Sequence, residues 1–303
     1  MAMPGSCPST TAAPSAGHPP ICLTDASAGL LHSSPTLTPH TPANSSPSHI
    51  ALPLLALAGG AGSQDMLRPR LVLFGDSITE QSFRPGGWGA ALADTYSRKA
   101  DVVVRGYGGY NSRWALFLIQ RIFPLVGLPP VATTIFFGAN DAALPGRTSQ
   151  RQHVPVEEYK QNLKTIVNHL KDCSKSMVIL LITPPPIDED GRERYARSQY
   201  GEDARRLPER TNEMAGVYAG QCMELAKEMD VQCVDLWSKM QATEGWQKLY
   251  LSDGLHLTPE GNALVHKEVV QTLRGAGLKA EDMPHDFPHH SKIDGAHPER
   301  AFQ

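Results

Sequence analysis

The chain has 303 residues, of which 41% are hydrophobic, with 28 basic and 31 acidic side chains. These values allow a sizeable globular core, and a nearly balanced charge without any Lys/Arg run excludes the electrostatic footprint of a nucleic-acid binder. No apolar stretch approaches the roughly 20 residues that cross a bilayer, so we expect no transmembrane segment.

The first 66 residues differ in composition from the rest of the chain. They are rich in Ser, Pro, Ala, Thr and Gly and contain no Lys or Arg, a composition that buries too little apolar surface to offset the entropy of ordering. We predict a disordered extension over 1–66, one folded domain over 67–275 and a His- and Pro-rich tail over 276–303. The extension lacks the basic flank of a signal peptide and the arginines of a transit peptide, which leaves the location open between the cytoplasm and an organelle.

From residue 67 onward, short β-rich runs alternate with longer helical patterns. The predicted strands cover 71–74, 101–104, 132–137, 178–183 and 231–234. The predicted helices cover 88–99, 112–123, 156–170, 208–229 and a last segment that opens at Thr258, a good N-cap before a proline. The charged stretch 188–206 is compatible with a lid or with a solvated insertion. This order predicts an α/β fold, with a five-stranded, mainly parallel sheet between two layers of helices.

Ser77, Asp253 and His256 are candidates for nucleophilic catalysis. Serine is a poor nucleophile unless an imidazole takes its proton and a carboxylate orients that imidazole. Ser77 directly follows the first strand, where open α/β sheets place their ligands, and Asp253 and His256 are three residues apart in one loop. Alone, each pattern has a plainer interpretation, because Asp76-Ser77 also suits a helix N-cap and an Asp/His pair often caps a turn.

Two further strand ends carry candidate donors for an oxyanion. Gly109 follows the second strand, where the lack of a side chain lets a backbone N–H approach a ligand. Asn140 follows the third strand and can direct its side-chain NH₂ into the same crevice. A glycine turn and an Asx-turn are the alternative interpretations, but a shared pocket requires this joint placement.

The motifs GDSIT (75–79), Gly109, GAND (138–141) and DGLH (253–256) resemble the four blocks of the SGNH (GDSL-type) hydrolases. The segments LVLFGDSITE (71–80), RGYGGYNSRWAL (105–116) and YLSDGLHLTPEGN (250–262) are similar to isoamyl acetate-hydrolysing esterases. The resemblance implies a flavodoxin-like three-layer fold and a catalytic triad of Ser77, Asp253 and His256. It also implies an oxyanion hole formed by the N–H groups of Ser77 and Gly109 together with Asn140. Val104 departs from the family pattern, which often has Asn in that block.

The resemblance implies hydrolysis of short-chain carboxylic esters by a serine esterase that needs no metal or organic cofactor. Its partner is then a small-molecule ester, and a homodimer remains open.

Trp88, Tyr110 and Trp114 are candidates for an apolar substrate pocket, although core packing is the usual role of an aromatic side chain. The same first half-reaction would serve an acyltransferase or a carbohydrate O-acetyl esterase. A non-catalytic binding module is disfavoured because all four candidate catalytic side chains are present. The five cysteines show no CxxC spacing, which predicts neither a zinc site nor a disulfide framework.

Overall fold

A computed structural model describes residues 68–201 and 208–302, and the predicted extension over 1–66 lies outside these ranges. A five-stranded sheet stands at the centre, with every neighbouring pair of strands parallel and the strand order β2-β1-β3-β4-β5. The strands are β1 (Arg70–Gly75), β2 (Asp101–Gly106), β3 (Ala132–Phe136), β4 (Val178–Ile182) and β5 (Gln232–Val234).

Helices follow the strands along the chain. In the described ranges they are α1 (Ser77–Glu80), α2 (Trp88–Thr95), α3 (Ser112–Ala115), α4 (Ile119–Ile122), α5 (Val156–Cys173), α6 (Glu189–Tyr200), α7 (Asn212–Glu228), α8 (Leu236–Gln241), α9 (Trp246–Tyr250) and α10 (Pro259–Gly275). None of the helices described is long and apolar enough to cross a membrane.

The sheet is buried on both faces, which explains why its strands are apolar without alternation. Leu71 and Leu73 of β1 join one core cluster together with residues of α2 and α10. Val72 and Phe74, which point to the other face, join a second cluster with residues of α5 and α7. The two helical layers around one sheet confirm the predicted three-layer α/β sandwich.

The strand order places a crevice between the carboxyl ends of β1 and β3. The chain leaves β1 toward β2 on one side and later adds β3 on the other side, which is the arrangement that creates a ligand crevice in open α/β sheets. The register puts Gly75 at the end of β1 opposite Gly106 of β2 and Phe136 of β3. The residues that follow these three strand ends therefore meet at one edge of the sheet.

Several helix boundaries differ from the sequence-based predictions. The predicted helix over 112–123 is two short helices, α3 and α4, and the chain turns between them so that Ala115 and Ile119 both reach the second cluster. The helix predicted from 208 begins at Asn212, with Thr211 as its side-chain cap, and this leaves Glu209 and Arg210 in the preceding loop. The charged stretch after β4 contains a helix, α6, followed by residues 202–207 outside the described ranges.

The segment after α10 returns to the edge of the sheet where the strands begin. Leu278, Ala280 and Met283 pack against the first core cluster. Asp286 forms ion pairs with Arg68, just before β1, and with Arg98, just before β2. These contacts lie opposite the crevice edge.

Candidate active site

The turn after β1 presents Ser77 at the crevice. Gly75 has to be a glycine here, because a Cβ at this position would lie 2.6 Å from the Phe136 carbonyl oxygen of the neighbouring strand. Asp76 caps α1 by accepting a hydrogen bond from the Ile78 N–H at 2.9 Å. The N-cap interpretation of Asp76 is therefore correct, and it is compatible with a functional Ser77, which is the first residue of the helix.

The structure brings Ser77, His256 and Asp253 into one hydrogen-bonded line. The Ser77 Oγ lies 2.9 Å from the His256 Nε2. The His256 Nδ1 lies 2.8 Å from the Asp253 Oδ2. Because a carboxylate only accepts, Nδ1 carries the ring proton and Nε2 is the acceptor for the serine hydroxyl.

Asp253 is held as an ionised carboxylate. Its Oδ1 accepts from the backbone N–H groups of Leu255 at 3.0 Å and His256 at 2.8 Å. Arg192 of α6 donates from Nη1 to Oδ2 at 3.0 Å. Burial by itself would raise the pKa of Asp253, but the hydrogen bonds from the ring and the backbone of His256 and the charge of Arg192 outweigh it and hold the pKa well below its usual range.

The expected oxyanion donors also lie at this edge. Gly109 has a positive φ of 76°, a conformation that favours glycine. Asn140 is buried, and its Nδ2 donates one hydrogen to the Tyr110 carbonyl at 2.8 Å, which leaves its second hydrogen free to donate. The backbone N–H groups of Ser77 and Gly109 donate to no other residue in the described ranges. Each of the three groups thus has donor capacity that no residue in 68–201 or 208–302 uses.

One cavity borders Gly109 and another borders His256. One, of about 440 Å³, is bordered by Gly109 and lined by aromatic and aliphatic side chains that include Tyr110, Trp114 and Phe117. The other, of about 220 Å³, borders His256 and is also lined by Ile78.

Tyr110 and Trp114 therefore occupy the expected position at a pocket, whereas Trp88 does not. Trp88 is fully buried in the first core cluster, and its Nε1 donates to the Ile78 carbonyl. The expectation for Trp88 is corrected to core packing, the common role of a large apolar ring.

Sequence reasoning missed a set of polar residues behind the site. Arg192 lies in the charged stretch 188–206, predicted as a lid or an insertion, whereas Glu209 and Arg210 lie in the helix predicted over 208–229. Neither prediction assigns these residues, or Gln152, a role in the site. Arg210 is 3% exposed and donates from Nη2 to the Asn140 Oδ1 at 3.1 Å. The one available signal was the run Glu209-Arg210 directly before a helix cap, and sequence alone does not distinguish a buried arginine from a solvated one.

The arrangement is suited to nucleophilic attack by a serine at a carbonyl carbon. A hydroxyl is hydrogen-bonded to a neutral imidazole nitrogen, the imidazole is hydrogen-bonded to a carboxylate, and unused N–H donors lie at the same edge. Within residues 68–201 and 208–302, no three His, Cys, Asp or Glu side chains are grouped so that they could hold a metal ion.

A family model described as GDSL-like Lipase/Acylhydrolase matches residues 71–269. The chain is similar to a GDSL esterase/lipase of Arabidopsis thaliana, with 69% identity over 238 residues that cover 78% of this chain and 98% of that protein. It is also similar to the isoamyl acetate-hydrolyzing esterase 1 homolog of Homo sapiens, with 43% identity over 82% of this chain and 97% of that protein. Among solved structures, a lipase/acylhydrolase from Enterococcus faecalis shares the fold with a TM-score of 0.53 at 23% identity, over 68% of this chain and 96% of that one.

Proposed function

The chain belongs to the GDSL-like lipase/acylhydrolase family and is a carboxylic ester hydrolase, and on that premise we propose that it cleaves short-chain alkyl esters through an acyl-enzyme. The family membership confirms the resemblance stated from the four sequence motifs. The observation that carries the proposal is the 2.9 Å contact between the Ser77 Oγ and the His256 Nε2, because it pairs a nucleophile with its base.

The first half-reaction transfers the acyl group to Ser77. His256 Nε2 takes the hydroxyl proton while the Ser77 Oγ attacks the ester carbonyl carbon, which gives a tetrahedral intermediate with a negatively charged oxygen. The intermediate then collapses, the C–O bond to the alcohol breaks, and His256 returns the proton to the departing alkoxide. The product is the free alcohol, and the acyl group remains bonded to Ser77.

The second half-reaction repeats these steps with water. His256 takes a proton from water, the hydroxide attacks the acyl carbon, and the Ser77 Oγ leaves with the proton from His256. Throughout, Asp253 orients the imidazole and stabilises its positive charge. Because the pKa of Asp253 is held well below its usual range, the carboxylate stays ionised and does not take the proton.

The N–H groups of Ser77 and Gly109 and the free hydrogen of the Asn140 amide stabilise the oxyanion. Their donor capacity is unused within the described residues, so no existing hydrogen bond has to break when charge develops on the substrate. Preorganised donors of this kind each contribute on the order of 3 kcal/mol to the barrier reduction.

The alcohol part and the acyl part of the ester bind in different cavities. The leaving alcohol has to lie within hydrogen-bonding reach of His256, and the smaller cavity borders this residue. The acyl chain then occupies the cavity beside Gly109, where Tyr110 and Trp114 provide apolar surface. The human relative that is named as an isoamyl acetate-hydrolyzing esterase homolog supports a small alkyl acetate as the substrate.

The first experiment replaces the nucleophile. Ser77→Ala should leave thermal unfolding close to that of the wild type and abolish turnover of p-nitrophenyl acetate, because no other hydroxyl is hydrogen-bonded to His256 Nε2 among the described residues. Ser176→Ala, an exposed serine just before β4, is the matched control and should keep full activity. Wild-type turnover by Ser77→Ala would reject the mechanism.

The second experiment measures substrate preference. A series of p-nitrophenyl esters from acetate to palmitate, with isoamyl acetate alongside, should give the highest kcat/KM for the short chains. Preference for long chains would contradict the proposed substrate but not the serine mechanism. Adding a competing alcohol and measuring transferred product separates hydrolysis from acyl transfer, because both reactions share the first half-reaction.

A further inference from the structure

Three charged side chains, Arg192, Glu209 and Arg210, connect the two halves of the site behind the crevice; we refer to them as the charged bridge. At one end, Arg192 Nη1 donates to the Asp253 Oδ2 at 3.0 Å. This is the same oxygen that accepts from the His256 Nδ1. The side chains of Arg192 and Asp253 are each only 13% exposed, so water screens their interaction weakly.

At the other end, Arg210 organises the side of the oxyanion donors. Its Nη2 donates to the Asn140 Oδ1, which fixes the orientation of the amide and turns Nδ2 toward the Tyr110 carbonyl and the crevice. The same Nη2 donates to the Gln152 Oε1 at 2.6 Å, and the Gln152 Nε2 donates to the Gly109 carbonyl at 3.0 Å. One buried guanidinium therefore holds Asn140 directly and Gly109 through one side chain.

Glu209 joins the two arginines through a single oxygen. Its Oε1 accepts from Arg192 Nη2 at 2.5 Å and from Arg210 Nη1 at 2.7 Å, and its Oε2 accepts from the Ser149 hydroxyl at 2.6 Å. Burial alone would raise the pKa of Glu209, but the charges of Arg210 and Arg192 and the bond from Ser149 outweigh it and lower the pKa. Without this carboxylate, Arg210 would lose its ion-pair partner and Arg192 would keep only Asp253, which is unfavourable for guanidinium groups that are largely removed from water.

We infer that Glu209 is a positioning residue, which through the two arginines sets the geometry and the charge of the triad acid and of the oxyanion donors together. This inference rests on the proposed function of Ser77, Asp253, His256, Gly109 and Asn140. Reaction creates a positive imidazole and a negative oxygen at the same time, so both ends of the charged bridge lie next to developing charge. A displacement of about 1 Å at such groups lowers turnover by about 100-fold.

The charges of the charged bridge should affect the pH dependence of kcat/KM, which a purely structural role would leave unchanged. The charged or titratable groups that surround His256 in the described ranges are Asp253 on its own loop, Asp76 after β1, Arg84 at the neighbouring cavity and Arg192 of α6. Loss of the Glu209 charge leaves Asp253 as the one ion-pair partner of Arg192 among the described residues, and the greater net positive charge beside His256 disfavours the imidazolium. Loss of the Arg192 charge has the opposite effect.

The test compares Glu209→Gln with Glu193→Gln in the full chain. Glu193 belongs to α6 and pairs with Arg197 at 2.7 Å on the exposed surface, so it is a matched control without contact to the site. With p-nitrophenyl acetate from pH 5 to 9, Glu209→Gln should lower kcat by about 10- to 100-fold with KM changed less than about 3-fold. The acid limb of its kcat/KM profile should move to lower pH, whereas Glu193→Gln should match the wild type.

Arg192→Gln supplies the second measurement and decides the matter if Glu209→Gln does not fold. It should lower kcat and move the acid limb to higher pH, the reverse of the first variant. Wild-type kcat and an unmoved profile in whichever variant folds would overturn the inference. That outcome differs from failure of the proposed function, in which the wild type itself does not hydrolyse the ester or Ser77→Ala retains activity.

Discussion

Asp76 and Asp141 are two carboxylates buried at the crevice edge, and their hydrogen bonding differs. Asp141 accepts from both the N–H and the hydroxyl of Ser112, whereas Asp76 accepts only from the Ile78 N–H and its Oδ2 has no partner among the described residues. Burial raises the pKa of Asp76 to about 7 and that of Asp141 to about 6. Asp76 is therefore the carboxylate that the fold accommodates least well as an anion.

Because its pKa is raised in the folded protein, replacing Asp76 by Asn should increase the free energy of unfolding by an amount that depends on pH. From the ordinary value of 3.8 up to about 7, the unfolded chain releases this proton and the folded chain keeps it. Over this window the wild type loses stability as pH rises, by about 1.4 kcal/mol per pH unit, and above it the loss is constant. A neutral amide does not titrate. The free energy of unfolding of the variant, relative to that of the wild type, should therefore increase between pH 4 and 7, by at most about 4 kcal/mol in total.

Urea unfolding at pH 4, 5.5, 7 and 8.5 measures this difference. Asp172→Asn, which changes an exposed carboxylate paired with Lys175 on the surface, is the control and should show no comparable trend. If the two proteins differed by the same free energy of unfolding at all four pH values, titration of Asp76 would not be the cause, since only a titrating group makes the difference depend on pH.

The His256 loop is held as an element between α9 and α10. Leu251 and Leu257 form an antiparallel bridge, and the Ser252 N–H donates to the His256 carbonyl at 2.8 Å, which closes the loop that carries Asp253. α10 begins immediately afterwards, with the Thr258 hydroxyl accepting from the Gly261 N–H at 3.1 Å and donating to the Leu249 carbonyl. One side chain thus caps α10 and joins it to α9.

Thr258→Ala should lower the free energy of unfolding by about 1–2 kcal/mol, because it leaves an N-terminal N–H of α10 and the Leu249 carbonyl without these bonds. Thr258→Ser keeps the hydroxyl and should recover most of that loss. Urea unfolding of the three proteins at pH 7 gives the comparison. Equal stability of the alanine variant and the wild type would show that solvent replaces the cap.

At the scale of the whole molecule, the candidate catalytic residues and the contacts of the segment after α10 lie at opposite edges of the sheet. The triad residues lie at the carboxyl ends of the strands, whereas the segment after α10 contacts Arg68 just before β1 and Arg98 just before β2. The Tyr96 hydroxyl of this region donates to the Leu278 carbonyl at 2.7 Å, and Leu278, Ala280 and Met283 cover the first core cluster. Stability contributed by this segment is therefore separate from the geometry of the crevice.

Truncation after Gly277 should lower stability and leave chemistry intact. The loss of three partly buried apolar side chains and of the Tyr96 partner corresponds to about 2–4 kcal/mol. Below the unfolding transition, kcat with p-nitrophenyl acetate should stay within about 2-fold of the full chain. Truncation after Asp294 is the control, because it keeps the contacts to Arg68, Arg98 and Tyr96. A large fall in kcat for the shorter protein at low temperature would contradict this separation.

The sequence predicted the elements that carry strong local signals. Apolar runs without alternation marked the strands, and the cap Thr258 with Pro259 placed the start of α10 correctly. It was wrong over 112–123, which has helical spacing throughout but forms two helices. It gave no secondary structure for the charged run after β4, which contains α6. Charge by itself does not reveal whether a side chain meets solvent or a buried partner.

The sequence alone determined which groups are available for chemistry and the order in which they follow the strands, because parallel strands direct their carboxyl ends to one edge. Tertiary structure decided the distances, such as 2.9 Å from the Ser77 Oγ to the His256 Nε2 across 179 positions of the chain. It also decided the partners of charged residues, placing Arg210 in the interior behind Asn140 and Trp88 in the core instead of the pocket. Hydrogen bonding and burial depend on positions in space, and residues far apart in sequence acquire these only when the sheet and its two helical layers assemble.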